Sequence, residues 1–180
     1  CYPTGGIALI RPLVDAGLMA ADHPVMINAV SGYSGGGKSM IEAYETGVAP
    51  VFELYGLALA HKHLPELTRY SGLWHQPIFV LVSVPLHFSM LKSVGHVANL
   101  RDCLAAHYAA GGEVRVADAG ETANLKGKLE PEALNNTNKM ELFVFGDDTK
   151  GQAVLVARLD NLGKGASGAA VQNLKLMLGL

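Results

Sequence analysis

The sequence MELFVFGDDTKGQAVLVARL, residues 140–159, decides the fold class that we predict for this chain. Residues 140–145 and 153–159 alternate apolar and other side chains, which is the pattern of half-buried β-strands. A third segment of this kind, residues 114–116, precedes them. Three strands close together near the end of the chain favour an α+β fold over a strict alternation of strands and helices.

The rest of the chain predicts helices, two further strands and one long loop. Apolar residues at helical spacing predict helices over residues 7–18, 40–45, 64–73, 97–110 and 164–178. Runs rich in Val, Ile and Leu predict buried strands over residues 24–31 and 77–88. The polar, irregular stretch from Asp118 to Asn138 predicts a loop.

Composition narrows the class of protein. The 180 residues, 49% of them hydrophobic, are enough for one domain with a substantial core. A net charge of −2 without a Lys/Arg run argues against a nucleic-acid surface, and no apolar run approaches the ~18 residues of a membrane span. Two cysteines, Cys1 and Cys103, are too few for a disulfide framework and favour a reducing compartment, so we predict a cytoplasmic protein.

The stretch SGYSGGGKS, residues 31–39, raises one functional alternative. From Gly32 to Ser39 it fits the G-x-x-x-x-G-K-[ST] pattern of a phosphate-binding P-loop. A P-loop nucleoside triphosphatase or phosphotransferase also needs an acidic metal ligand after a second buried strand, and Asp118 and Asp160 both follow apolar segments. A tight glycine-rich turn that enters a helix gives the same pattern, so the residues alone leave both interpretations open.

Cys1 and a histidine pair form a second candidate site. Cys1 stands directly before the first predicted helix, whose N-terminus would stabilise a thiolate, although a terminal residue without a role would look the same. The sequence His61-Lys62-His63 has two potential metal ligands, but no further Cys or His follows at metal-site spacing, so we predict no metal. A histidine that meets a reactive cysteine is instead a candidate acid or base.

Five motifs in this order resemble one known family over nearly the whole chain. They are CYPTG (1–5), VSGYSG (30–35), HKHLPE (61–66), NTNKMELFVFG (136–146) and DNLGKGASG (160–168). The chain resembles the C-terminal part of the N-acetyl-gamma-glutamyl-phosphate reductase family, in its shorter type. That family is related to aspartate-semialdehyde and glyceraldehyde-3-phosphate dehydrogenases. It carries a glycine-rich turn where residues 31–38 stand, so the resemblance favours a turn over a P-loop.

The resemblance implies a fold and a domain assignment. It implies a glyceraldehyde-3-phosphate dehydrogenase-like C-terminal domain, with a mixed, largely antiparallel sheet and flanking helices. Residues 1–180 would form one catalytic and dimerisation domain, and we expect a homo-oligomer, either a dimer or a tetramer.

The resemblance also implies an activity. In arginine biosynthesis, NADPH-dependent reduction would convert N-acetyl-glutamyl 5-phosphate into N-acetylglutamate 5-semialdehyde through a cysteine thioester, with release of phosphate. Cys1 would be the nucleophile and His61 the acid/base. The residues expected to bind substrate are Ser31, Tyr55, His63 and Glu66, and those expected near the cofactor are Ser34, Gly35 and Asn161.

Two departures from the family pattern lead to further expectations. A dinucleotide-binding Rossmann domain with a G-x-G-x-x-G-like turn should precede the cysteine, and this chain carries none, so we expect a fragment that does not turn over. A substrate loop expected near residues 79–81 is missing as well. The competing hypotheses are the P-loop enzyme, a non-catalytic pairing module and a hydrolase whose nucleophile is an N-terminal Cys1.

Overall fold

The computed structural model describes residues 1–30, 32–49, 59, 61–81 and 84–180. The strands are β1 (Met26–Asn28), β2 (Ile78–Leu81), β3 (Val84–His87), β4 (Val114–Val116), β5 (Met140–Asp147) and β6 (Gln152–Leu159). The helices are α1 (Tyr2–Asp15), α2 (Lys38–Glu45), α3 (Leu64–Ser71), α4 (Val97–His107), α5 (Ala119–Asn124) and α6 (Gly168–Leu178). A π-helical turn, Gly163–Ser167, leads into α6.

A four-stranded sheet in the order β3-β6-β5-β4 organises the chain. The hairpin of β5 and β6 is its centre, with Met140 opposite Leu159 at one end and Asp147 opposite Gln152 at the other. β3 is antiparallel to β6, and β4 is parallel to β5. A separate pair, β1 and β2, is parallel. The predicted mixed sheet with flanking helices is confirmed, and two of the three pairings in the larger sheet are antiparallel.

One face of this sheet forms the core. Alternate residues of the hairpin point to that face, so Leu142 and Leu155 are fully buried. Helices α1 and α4 cover them with buried leucines, among them Leu9, Leu13 and Leu104. Each fully buried leucine contributes about 1.5–3 kcal/mol relative to exposure. The alternation that predicted the strands therefore also fixes which face α1 covers.

The single strand predicted over residues 77–88 is wrong. The structure divides this run into β2, which pairs with β1, and β3, which lies at the edge of the larger sheet. Pro85 lacks a backbone N–H, and an edge strand tolerates that loss. Apolar periodicity reports burial but not the partner of a strand, so the division was not visible in the sequence.

Two helix predictions also need correction. The loop predicted between Asp118 and Asn138 contains α5, which is stabilised by a capping box: Asp118 accepts the Glu121 N–H at 2.8 Å, and Glu121 accepts the Asp118 N–H at 2.9 Å. This helix is too polar and short to show periodicity. The first helix begins at Tyr2 rather than Ile7, because its first turn tolerates proline. In the described part of the chain, no helix is both long and apolar enough to cross a bilayer.

Candidate active site

Cys1 occupies the N-cap of α1, a helix of 14 residues. Its carbonyl accepts the Gly5 N–H at 3.2 Å, and the residue is half-buried. The sequence predicted that Cys1 precedes a helix, and the structure places it in direct contact with that helix. The positive end of the helix macrodipole therefore lies at Cys1, whose side chain forms no capping hydrogen bond with the first turn.

Two imidazoles lie beside this helix end, although they are 60 and 62 positions away in the sequence. The His61 ring meets the Tyr2 ring edge-on at a centroid distance of 5.9 Å, and it lies 4.8 Å from the His63 ring. The His63 N–H donates to His61 Nδ1 at 3.2 Å. A nitrogen that accepts this bond carries no proton, so the neutral His61 ring holds its proton on Nε2.

Both imidazoles are neutral near pH 7. Burial lowers the pKa of His61, and the positive charge of Lys62 lowers it further. Burial also lowers the pKa of His63, with His61 as the next cause. The Glu66 carboxylate acts in the opposite direction on the pKa of His63. Glu66 therefore lies close enough to the histidine pair to interact with it electrostatically.

A close contact between helices α1 and α3 brings these groups together. His63 is the N-cap of α3, and Glu66 lies in its first turn. A Cβ at Gly6 of α1 would lie 2.8 Å from Leu67 Cδ1, which is closer than real Cβ atoms approach. The missing side chain at Gly6 allows α3 to pack tightly on α1, and the N-terminus of α3 carries the histidines.

Two of the residues predicted near the cofactor form a hydrogen bond with each other. Asn161 Nδ2 donates to Ser34 Oγ at 3.1 Å across 127 positions of sequence, and both residues are half-buried. Gly35 follows Ser34 and is exposed. An amide beside a hydroxyl offers both donors and acceptors, a set that suits the carboxamide of a nicotinamide ring. The residues present therefore fit the polar end of such a cofactor.

The turn after β6 links this pair to Cys1. Asp160 is 9% exposed, and its carboxylate accepts the N–H groups of Asn136 at 2.7 Å and Leu162 at 2.9 Å. Its carbonyl accepts the Gly165 N–H at 2.8 Å. Gly165 itself lies against Cys1. The sequence suggested Asp160 only as a metal ligand of the P-loop alternative and predicted no role for Gly165, although the glycine-rich run after Asp160 was a signal.

The two carboxylates considered for a P-loop metal site are engaged elsewhere. Asp160 holds two backbone N–H groups, and Asp118 caps α5. Lys38 is the exposed first residue of α2. Within the described ranges, no group of three or more His, Cys, Asp or Glu side chains could hold a metal ion. The geometry gives the P-loop alternative no support.

Some predicted residues have no described position. Ser31 and Tyr55 lie outside the described residues, and so do the side chains at 79–81, where we predicted that a substrate loop is missing. Of the predicted set, the structure brings Cys1, His61, His63 and Glu66 together, and it joins Ser34 to Asn161. The roles assigned to all of these residues stay predictions.

Comparison with known proteins gives a consistent result. Residues 1–161 match the family model described as "Semialdehyde dehydrogenase, dimerisation domain". A protein of Burkholderia lata named "N-acetyl-gamma-glutamyl-phosphate reductase" is 49% identical to this chain over an alignment of 192 residues. The alignment covers 99% of this chain and 61% of the relative. A protein of Pseudomonas putida, named "N-acetyl-gamma-glutamyl-phosphate reductase 2", is 47% identical over an alignment of 195 residues. This alignment covers 99% of this chain and 61% of the relative.

A third relative, from Brucella ovis, carries the name "N-acetyl-gamma-glutamyl-phosphate reductase". It is 49% identical over 194 residues, which cover 99% of this chain and 62% of the relative. The chain thus spans about three fifths of the length of these relatives. The resemblance drawn from the five motifs is confirmed, and none of the three names supports the P-loop alternative.

Proposed function

Since this chain belongs to the family of semialdehyde dehydrogenase dimerisation domains, we propose that it is the catalytic and dimerisation domain of an N-acetyl-gamma-glutamyl-phosphate reductase. The reaction is the arginine-biosynthetic reduction of N-acetyl-glutamyl 5-phosphate to N-acetylglutamate 5-semialdehyde, in the cytoplasm. One observation carries this proposal: Cys1 caps α1, and the neutral His61 lies beside the first turn of that helix.

Cys1 performs the first chemical step. Its thiolate attacks the carbonyl carbon of the acyl phosphate, a C–S bond forms, and the C–O bond to phosphate breaks. The products are a thioester on Cys1 and free phosphate. A thiol suits this step because it is a strong nucleophile at neutral pH and also a good leaving group when the aldehyde is released. The N-terminus of α1 supports the negative charge of the thiolate before the attack.

His61 handles the proton on the substrate oxygen. Its Nδ1 accepts the His63 N–H, so its proton is held on Nε2. From there it can be donated to the oxygen of the substrate carbonyl as negative charge develops, and it can return when the C–S bond breaks. His63 orients the imidazole through its backbone, and its side chain and Glu66 supply polar groups for binding the substrate.

NADPH, when bound, supplies the hydride that reduces the thioester carbon. Ser34, Gly35 and Asn161 would hold the nicotinamide end of this cofactor, and the hydrogen-bonded Ser34–Asn161 pair would offer donors and acceptors to its carboxamide. The glyceraldehyde-3-phosphate dehydrogenase-like character of the domain is part of the same proposal. The mixed sheet with flanking helices is consistent with it.

The acyl-transfer half of the reaction tests the role of Cys1 without any cofactor. The purified chain is mixed with N-acetyl-glutamyl phosphate, and phosphate release and intact mass are followed. We expect one acyl group per chain, located on Cys1 by peptide mapping. Cys1→Ser should abolish the adduct, and His61→Asn should slow its formation by about 10²–10⁴-fold. Cys103→Ser is the control, because the half-buried Cys103 thiol is engaged elsewhere and donates to Pro12 O at 3.6 Å.

The possible outcomes separate the assignments clearly. An adduct that persists in Cys1→Ser, or that maps to Cys103, would contradict the proposed nucleophile. An unchanged rate in His61→Asn would remove His61 from the mechanism and leave Cys1 in place. The cofactor assignment is tested in a polypeptide extended to the full length of the relatives. There Asn161→Ala should raise the KM for NADPH and leave acyl transfer to Cys1 unchanged.

We also propose that the outer face of the hairpin mediates self-association. Val154, Val156 and Phe145 alternate with the core residues, point away from α1 and α4 and are half-buried, whereas Phe143 on the same face is buried, with 3% of its surface exposed. Phe143 and Phe145 stack with their ring centroids 6.1 Å apart, and the Arg158 guanidinium lies over Phe143. This apolar row, continuous with charged side chains, suits an interface between two copies.

Sedimentation velocity at several concentrations tests this surface. Val156→Asp should weaken self-association by at least about tenfold, because a carboxylate would lose its water in the interface. Val48→Asp is the matched control, since Val48 is 79% exposed and follows α2, which is not part of the hairpin. A monomeric parent chain at high concentration, or equal effects of the two variants, would refute this interface.

A further inference from the structure

Gly165 lies directly against the proposed nucleophile. A Cβ built on Gly165 would lie 2.3 Å from Cys1 Cβ and 2.9 Å from Cys1 Cα. Real Cβ atoms essentially never come within 3.0 Å of another heavy atom. The bare backbone of Gly165 therefore forms part of the surface on which the main chain and Cβ of Cys1 rest.

The backbone at Gly165 is held in place by Asp160. The Asp160 carbonyl accepts the Gly165 N–H at 2.8 Å, while its buried carboxylate holds Asn136 and Leu162 through their N–H groups. Gly165 lies within the π-helical turn Gly163–Ser167, a rare geometry that often occurs at functional sites. We call residues 160–165 the Asp160 turn. Its two ends are tied together, so it behaves as one rigid unit.

The Asp160 turn also carries Asn161, which binds Ser34. One end of the turn thus contacts the proposed nucleophile, and the residue next to Asp160 contributes to the proposed cofactor pair. The Asp160 turn, which the buried Asp160 carboxylate fixes, therefore sets the distance between Cys1 and the Ser34–Asn161 pair. Hydride transfer to a thioester requires that distance to be correct, because reacting atoms must approach within about 3–3.5 Å.

We propose that Gly165 is a positioning residue, which sets the orientation of Cys1 relative to the Ser34–Asn161 pair through the Asp160 turn. The inference rests on the proposed role of Cys1 as nucleophile. A side chain at position 165 would displace Cys1 from the N-cap of α1 or push the turn away from it. Either movement changes the direction in which the thiol meets an acyl phosphate, while the thiol itself stays present and accessible.

Two reactions of the same thiol distinguish orientation from simple reactivity. Gly165→Ala is compared with the parent chain for acyl transfer from N-acetyl-glutamyl phosphate and for alkylation by iodoacetamide. Acyl transfer should fall by about 10²-fold, since it depends on a defined angle of attack. Alkylation of Cys1, which has no such requirement, should change far less. Alkylation of Cys103, a half-buried thiol whose pKa is raised by burial, reports any loss of the fold.

Gly146→Ala is the matched control. A Cβ at Gly146 would lie 2.6 Å from Gln152 O and 2.6 Å from Val97 Cγ2, so the substitution is similarly crowded. Gly146 lies near the opposite end of β5 from the strand pairing next to Asp160. It should lower stability without reducing acyl transfer in the folded chain. A loss of acyl transfer equal to that of Gly165→Ala would overturn the positioning role.

A thermal-stability cycle covers the case in which Gly165→Ala does not fold. Cys1→Gly removes the nearest clashing atom, so adding it to Gly165→Ala should recover part of the lost Tm, and adding it to Gly146→Ala should recover none. Equal recovery in both backgrounds would refute the contact. If the parent chain is not acylated at all, the proposed function fails. If the parent is acylated and Gly165→Ala is acylated equally fast, only the positioning role fails.

Discussion

The packing of Leu67 against Gly6 offers a direct test of how the site is assembled. Leu67 of α3 is 2% exposed, and a Cβ at Gly6 of α1 would lie 2.8 Å from its Cδ1. Gly6→Ala adds one methyl group at the contact, and Leu67→Ala removes the side chain that the methyl group would strike. The two changes should therefore compensate each other when they are combined.

The expected changes in the free energy of unfolding follow from the burial of Leu67 and its close contact with Gly6. Leu67→Ala leaves a buried cavity and should cost about 2–5 kcal/mol. Gly6→Ala should gain about 0.8–1 kcal/mol of helix propensity and lose about 1–3 kcal/mol by overpacking, so its net effect is destabilising or near zero. In the Leu67→Ala background the overpacking disappears. Gly6→Ala should then stabilise the chain by about 1 kcal/mol.

Urea unfolding of the parent, both single variants and the double variant measures this coupling. We expect the double variant to be more stable than the sum of the two single effects predicts, by about 1–3 kcal/mol. This difference is the cost of overpacking, which is absent without the Leu67 side chain. Effects of distant, independent sites add within about 0.3–0.5 kcal/mol. Additivity within that margin would refute the close approach of α1 and α3, and with it our account of how His61 and His63 reach the N-terminus of α1.

Two further predictions concern the stability of the sheet and of α5. Burial alone would raise the pKa of Glu141, but hydrogen bonds from Arg115 and Arg158 outweigh burial and hold this pKa below its usual value. The ionised Glu141 therefore stabilises the fold above about pH 4.5. This contribution is lost as the pH falls through the lowered pKa. Glu141→Gln should lower the free energy of unfolding by about 1–3 kcal/mol at pH 7 and make it depend less on pH below about pH 4.5. Urea unfolding of the parent and the variant at pH 7 and below about pH 4.5 measures both effects. An acid dependence as steep in the variant as in the parent would contradict this prediction. Asp118→Ala should cost about 1 kcal/mol by removing the cap of α5, while Asp118→Asn should keep most of that stability; equal urea midpoints for all three chains would count against the capping box.

The local pattern of the sequence predicted those features that depend on neighbouring residues. Alternation over residues 140–159 predicted β5 and β6, because burial of one sheet face imposes a period of two. Helical spacing predicted α4 with its start at Val97, and the sequence also indicated that Cys1 stands before a helix. The family resemblance came from short motifs in a fixed order, which the comparisons support.

Other features depended on contacts that the local pattern does not record. The run 77–88 divides between two sheets because its two halves pair with different strands, and burial looks the same in both. Helix α5 is held by a polar capping box, so it shows no apolar period.

The sequence by itself thus determined the hairpin, the helical setting of Cys1 and the identity of the motif residues, since each follows from residues a few positions apart. Only the tertiary structure decided that His61 lies beside Tyr2, that Asn161 binds Ser34 and that Gly165 lies against Cys1. These contacts join residues about 60 to 160 positions apart along the chain. They form because helices and turns pack on a common core, and close packing, rather than local propensity, selects which side chains meet.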